Sequence, residues 1–383
     1  MVKLSEDWLR KKSTQAVAGF LARADCQVYF VGGCVRNALL RKPVADIDIA
    51  TDARPEQVMK LAISAGFKAI PTGIDHGTVT VVIDDESFEI TTFRSDIKTD
   101  GRHATVRFST SINEDAARRD FTMNAIYAAA DGTVVDPLGG LPDLRAGKVR
   151  FIGDPLHRIR EDGLRILRYF RFHALFADPL LGMDADGLAA CAALADMLAD
   201  LPSERIGAEM CKLLGAPDPS PAVAAMAASG VLARILPGAT PRFLAVLIHL
   251  ENHANAPASW VRRLAVIGGE APTRNLRMTK TSARELARLS TEATATKSAS
   301  ELSYRFGTAT ALDILLIRAT FDASPLPSNM TEDFALGEKA VFPVKAADLM
   351  PEYAGVALGQ RLRDLEQQWI DSGFSLSKPK LLQ

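Results

Sequence analysis

Asp46 and Asp48 stand two residues apart in a β-branched run, VADIDIAT, at residues 44–51. Side chains two apart on a strand share a face, so this pair would present two carboxylates side by side. Such carboxylates repel one another unless a cation sits between them. Mg2+, which takes one or two carboxylates together with substrate phosphates, is the natural cation. A lone D-x-D is a weak signal, and what raises it is the stretch before it. In VGGCVRNALL, residues 31–40, strand residues run into Gly32–Gly33, and a helix carrying Arg36 then begins. Gly-Gly lets the backbone approach a phosphate closely, and a following helix N-terminus favours negative charge. A dinucleotide-binding reading of these glycines fails, because GGCVRN lacks G-x-G-x-x-G.

Three further segments carry candidates. Glu89, in FEITTFR, is a possible third carboxylate able to accept a proton from an attacking hydroxyl; an exposed strand-face acid is the equal alternative. In ARRDFTMNAIY, residues 117–127, Arg118 and Arg119 precede a buried-looking run. Guanidinium forks suit triphosphate oxygens, and Asp120 could bind a ribose hydroxyl, although taken alone a local salt bridge at a helix end is the commoner fate. In RIREDGLRILRYFRF, residues 158–172, helical spacing puts Glu161, Asp162, Arg165 and Arg168 on one arc, with Ile159, Leu164, Ile166, Leu167 and Phe170 opposite. An acceptor one turn from a five-donor fork can read the edge of a base; a solvated face with internal ion pairs is the bland reading.

These segments need elements to hold them. Residues 4–24 read as an amphipathic helix with Leu4, Trp8, Val17, Phe20 and Leu21 inward. Strands are expected at 28–31, 45–49, 78–83, 88–93 and 133–135, with an antiparallel hairpin turning at Asp84–Ser87. Residues 94–107 read as a mobile polar loop. Beyond Gly153 strand signals fade and helical spacing dominates, with Pro-rich breaks at 217–221 and 323–329. An α/β head followed by a long helical part indicates an α+β chain of separate domains.

Composition sets limits. The 383 residues exceed one typical core, and no apolar run reaches membrane-spanning length. The N-terminus lacks a signal-peptide core, and four scattered cysteines form no CxxC pair, so a reducing cytoplasm is the expected setting. A net charge of −1 shows no global basic surface, so contact with RNA would fall to local clusters, at Arg118–Arg119 and along 158–171. His76 and His103 read as structural or gating. His249 and His253 lack the H-E-x-x-H order of a zinc protease.

Taken together, GGCVRNALL with DIDIAT, EITTFRSD with DGRHA, RRDFTMNA, DPLGGLPDLRAGKVRFIG and EDGLRILRYFRF resemble the class II tRNA nucleotidyltransferases, the CCA-adding enzymes, and the related bacterial poly(A) polymerases. The likeness is dense over residues 27–175 and diffuse beyond. It implies a polymerase-β-like head at 1–150, a helical neck at 151–215, a body at 216–325 and a tail at 326–383. It implies Asp46 and Asp48 as metal-binding carboxylates, and Gly32, Gly33, Arg36 and Arg119 as nucleotide and phosphate contacts. Asp162 and Arg165 would recognise CTP and ATP in place of a template, and Arg168 and Arg171 would line the same pocket. Residues 94–107 would gate the switch from C to A addition. The implied partners are tRNA, CTP and ATP, with no membrane and no obligatory protein partner. Poly(A) addition, or partial CC or A addition, is the nearest alternative, and a non-catalytic RNA-binding module the remote one. Two departures stand out: Asn37 where the family usually has Asp, and Gly163 where it usually has Pro, a change expected to loosen the recognition helix.

Overall fold

The computed structural model describes residues 2–100 and 103–383. The chain divides into two compact units. The first comprises 1–239 with 269–277, and the second 240–268 with 278–383.

In the first unit, the helical stretch expected over residues 4–24 is two pieces, α1 (Asp7–Arg10) and α2 (Lys12–Ala22). Leu4 lies outside both and donates its backbone N–H to Gly132 O. A seven-stranded mixed sheet follows. Its strands are β1 (Val28–Val31), β2 (Asp48–Thr51), β3 (Lys68–Gly73), β4 (Thr78–Ile83) and β5 (Glu86–Thr92). β6 (Arg94–Asp100) and β7 (His103–Phe108) form a separate antiparallel ribbon, and β8 (Tyr127–Ala128) and β9 (Val134–Val135) return to the main sheet. The spatial order is β3-β4-β5-β2-β1-β8-β9. β4 alternates buried and half-buried residues, as an antiparallel strand with one face on the core must. It turns into β5 through Asp84 and Asp85, both at positive φ, the geometry of a two-residue hairpin.

Two expectations change here. β2 pairs in parallel with β5, which brings Asp48 opposite Glu89, and it begins at Asp48 rather than Ala45. Asp46 therefore precedes the strand, and the two aspartates do not share a strand face. Residues 94–100 and 103–108 pair as the antiparallel strands β6 and β7, where a loop was expected. Gly101 and Arg102 of the DGRHA segment lie outside the described residues.

Helices α3 (Gly33–Leu39), α4 (Pro55–Ser64), α5 (Ile112–Ala117) and α6 (Gly140–Arg145) flank the sheet. Val31, Ala50, Phe93, Ala116, Ala125, Tyr127 and Ile152 pack into a core beneath β1 and β2. Beyond Gly153 only helices occur. α7 (Pro155–Glu161) is capped by Asp154, and α8 (Leu164–Phe176), α9 (Ala185–Ala193) and α10 (Ser203–Leu214) follow. α11 (Ser220–Ala228), α12 (Val231–Ile235) and, after an excursion into the other unit, α15 (Pro272–Asn275) complete this unit.

The single helix expected over 158–172 is broken. Asp162 is extended, at φ −154 and ψ 107, and separates α7 from α8. Gly163 precedes the first turn of α8, so it costs no helix-interior stability and does not loosen the helix. It fits a close approach instead: a Cβ at residue 163 would lie 3.2 Å from Met197 Cβ.

The second unit holds α13 (Leu244–His253), α14 (Trp260–Ile267), α16 (Lys280–Ala293), α17 (Ala299–Phe306), α18 (Thr308–Phe321), α19 (Met330–Lys339), α20 (Gly355–Asp371) and α21 (Lys378–Leu381). Trp369, Leu365, Ile370 and Leu381 centre one of its cores. A second centre is ionic. Arg262 and Arg263, 1% and 2% exposed, both donate to Glu251, and Arg262 also pairs with Asp313. His249 and His253 lie exposed on either side of Glu251. Among the described residues no helix is long and apolar enough to cross a membrane.

Candidate active site

Carboxylates lie near one another where β2 begins beside β5. Asp48 opens β2 with Glu89 as its register partner on β5, and Asp46 is exposed just upstream. Burial, then the charges of Glu89 and Asp46, push the Asp48 carboxyl above its ordinary range, while Arg119 pulls it back. Carboxylates crowded in this way suit a divalent cation. Among the described residues no three metal-capable side chains close on one point. The donor set is open, as a Mg2+ site completed by substrate oxygens would be. The Cys34 thiol donates to Val31 O at 3.4 Å and lies 3.9 Å from Asp48 O, tying α3 to the start of β2.

Facing this end is the Gly32–Gly33 turn. Gly32 sits at φ +72, a backbone that a side chain would strain, and it starts α3 directly off β1. Two guanidiniums flank it. A Cβ on residue 32 would lie 3.5 Å from Arg119 Nη1, and one on residue 33 would lie 3.9 Å from Arg36 Nη2. Arg119 is held from behind. Its Nη2 donates to Asp115 Oδ2 at 2.9 Å and its Nε to Tyr127 Oη at 3.1 Å, while the Tyr127 hydroxyl donates to Asp115 at 2.8 Å. Burial opposes the Asp115 charge, but Arg119, Arg118 and the Tyr127 hydroxyl outweigh it and hold its pKa down at about 2.

Asp120 is buried and fully engaged. Oδ1 accepts from Phe121 N and Asn124 Nδ2, and Oδ2 accepts from Arg168 Nε at 2.8 Å and Nη2 at 2.5 Å. All four of its lone-pair sites are thus filled, and it acts as a scaffold that fastens α8 to the sheet side. Arg171 donates to Glu209 on α10 at 2.5 Å and lies over the Phe172 ring, which Arg36 also faces.

The break between α7 and α8 carries Asp162, with Arg165 in the first turn of α8. Asp162 Oδ1 accepts from Leu164 N, and Oδ2 accepts from Arg205 Nη2 of α10 at 2.7 Å. Arg165 donates to Glu161, to Arg158 O and to Arg118 O. Asp162 and Arg165 are brought to one place, each satisfied by a neighbour rather than by the other. Sequence reasoning missed Asp115, Asn124, Tyr127, Arg205 and Glu209. Asp115 carried a signal, standing one helical turn before Arg119; Arg205 and Glu209 lie some forty residues from their partners and carried none.

A mixed sheet with carboxylates at one strand end, opposite a Gly-Gly turn lined by guanidiniums and joined to a helical neck, defines a polymerase-β-like nucleotidyltransferase fold. Residues 28–150 match the Poly A polymerase head domain family, and residues 182–243 match the family described as "Probable RNA and SrmB- binding site of polymerase A". The CCA-adding enzyme of Streptococcus gordonii is 32% identical over 370 residues, 91% of this chain and 90% of that protein. Human mitochondrial CCA tRNA nucleotidyltransferase 1 is 45% identical over 189 residues, 49% of this chain; the match spans less than half of that relative, 44%. The crystal structure of the Bacillus stearothermophilus CCA-adding enzyme in complex with CTP superposes with a TM-score of 0.74 at 30% identity, over 96% of this chain and 94% of that one. The chain belongs to the class II tRNA nucleotidyltransferase family of CCA-adding enzymes and their poly(A) polymerase relatives.

Proposed function

We propose that this protein adds C, C and A to the 3′ end of tRNA from CTP and ATP without a nucleic-acid template, releasing pyrophosphate. The observation that carries this reading is the meeting of three features in one unit: the carboxylate end of β2, the Gly-Gly turn with Arg36 and Arg119, and the α7–α8 break with Asp162 and Arg165. Its near end-to-end likeness to the Streptococcus enzyme supports it.

Each part has a task. Asp46 and Asp48, with Glu89 beside them, hold the divalent cation, for which Mg2+ fits the all-oxygen donor set. When bound, it lowers the pKa of the attacking 3′-hydroxyl and offsets charge on the reacting phosphate. Glu89, exposed on β5 beside Asp48, takes the hydroxyl proton. Gly32 and Gly33 let the backbone approach the triphosphate, and Arg36 and Arg119 supply its counter-charge. Asp162 and Arg165 read the base edge by exchanging their contacts with Arg205 and Glu161 for the nucleobase. Arg168 and Asp120 lock that reading surface to the sheet, with Arg171 braced on Glu209. The helical remainder grips tRNA by shape and phosphate contacts.

The test is incubation with tRNA lacking its terminal CCA and single labelled nucleotides. Ordered incorporation of C, C and then A is expected. The match to a poly(A) polymerase head domain favours one second reading, and homopolymeric A-tailing of unrelated RNA would establish it instead. Asp46→Ala is expected to abolish incorporation while tRNA binding persists; surviving activity refutes the metal assignment.

A further inference from the structure

In the second unit, carboxylates take up many of the basic side chains. Arg262 and Arg263 hold Glu251, Lys297 holds Glu292, Arg305 holds Glu301 and Lys378 holds Asp348. α16 is different. Lys280, Arg284 and Arg288 recur every four residues along it, and all three are exposed. Among the described residues none of the three forms an ion pair; Arg288 lies over the Phe306 ring, 5.4 Å from its centroid.

The pattern of α16 fixes this outward face. Buried Leu286 and Leu289 seat the helix on α14 and α18. On a 3.6-residue period the three cations then fall within an arc of about 80° on the opposite side. Thr281, Ala287, Ser290 and Thr291 complete the exposed face, so it carries cations and hydroxyls but no acid. The two acids of α16 are half-buried: Glu292 pairs with Lys297, and Glu285 feels Asp313 as well as Arg288.

Two features of this face cost the helix stability. Like charges four residues apart repel one another. Lys280 also stands in the first turn, where the helix dipole disfavours a cation and no acid offsets it. A polyanion laid along the face would relieve both costs. Successive cations are about 6 Å apart along the axis, four residues at about 1.5 Å each. That is the scale on which phosphates follow one another along a nucleic-acid strand, and the exposed hydroxyls can donate to the same oxygens.

We propose that the exposed face of α16 is an RNA-backbone contact, on which Lys280, Arg284 and Arg288 each neutralise a phosphate of the tRNA. The inference rests on the tRNA reading given above and deepens it, by placing phosphate contacts on one face of one helix. Such contacts hold the RNA in place and do not read its sequence. Their strength comes from released counterions, so it falls steeply with salt.

The test measures binding of tRNA lacking its terminal CCA across a salt series, in the whole chain and in two triple variants. One combines Lys280→Ala, Arg284→Ala and Arg288→Ala. The other combines Lys280→Arg, Arg284→Lys and Arg288→Lys, which keeps every charge. In the alanine triple, binding should weaken at least about tenfold at low salt, and the slope of log affinity against log salt should become shallower by about 3. CTP binding should match the parent, because no residue of the nucleotide site is changed. The charge-retaining triple should keep the parent's slope. An alanine triple with the parent's slope overturns the proposal, and the strip then serves an acidic protein instead. Equal losses in both triples also overturn it, because shape rather than charge would then decide binding. Failure of the functional reading looks different. A parent that binds trimmed tRNA with a steep salt dependence but incorporates neither C nor A refutes CCA addition, while a shallower slope in the alanine triple would still support the strip.

Discussion

At the scale of single residues, the site is organised by buried carboxylates that fix arginines rather than by arginines alone. Asp115 is the clearest case, 1% exposed and bridging Arg118, Arg119 and Tyr127. Its folded pKa lies below the ordinary 3.8, so its contribution is present in full above that value and is lost as pH falls toward about 2. That contribution is about 2 kcal/mol, and acid unfolding curves should show it disappearing across this window. Tyr127→Phe removes one donor to the carboxylate, so the acid transition should shift to higher pH at a cost of about 1 kcal/mol. Asp115→Asn should do more. It leaves two arginines short of their anion, with a loss of about 3–5 kcal/mol and a raised KM for nucleotide as Arg119 drifts from Gly32. An unchanged KM in a folded Asp115→Asn protein would sink the view that Asp115 positions Arg119.

At the scale of elements, the decisive feature is the discontinuity between α7 and α8. Helical periodicity over residues 158–172 was strong enough to read as one helix, and the facing of its apolar residues survives in the two helices observed. What periodicity cannot register is that Asp162 turns its backbone out to meet Arg205, a partner forty-three positions away, while Gly163 admits Met197. The same limit explains the aspartate pair. Residue types marked Asp46 and Asp48 as metal candidates, but the start of β2 is set by pairing with β5, which local sequence does not encode. The Gly-Gly turn and the hairpin were legible because their physics is local, whereas Asp120, read as a ribose contact, is taken up by Arg168, far along the chain. Gly163→Ala tests the break directly. The added methyl meets Met197 Cβ at 3.2 Å, so about 1–3 kcal/mol of strain is expected unless Met197 shifts. Nucleotide KM should rise because Asp162 moves, and Met197→Gly, which removes the Cβ it meets, should restore it. A Gly163→Ala protein with normal stability and normal KM would show that the close approach has no consequence.

For the whole molecule, a net charge of −1 gave no basic surface from which to expect RNA binding, and the arginine clusters that promised one are occupied otherwise. Arg118, Arg119, Arg158, Arg165, Arg168 and Arg171 are buried or half-buried in ion pairs, so they do not form an open RNA-facing strip. All of this chemistry lies in the first unit, whereas the second has its own apolar core and its own ionic knot. That division gives a way to separate the tasks. Glu251 accepts from both Arg262 and Arg263 at 2% exposure, so Glu251→Ala takes away the carboxylate that two buried guanidiniums share, although Arg262 keeps its pair with Asp313. The expected loss is about 3–5 kcal/mol, concentrated in the second unit. Thermal unfolding of this variant should resolve an early transition, and CTP should stabilise only the later one. At temperatures between the two, CTP binding should persist while incorporation into trimmed tRNA falls, because the helices assigned to gripping tRNA have melted. If CTP binding and incorporation disappear together in a single transition, the two units are not thermodynamically separable, and a separate share for the second in gripping tRNA must be given up.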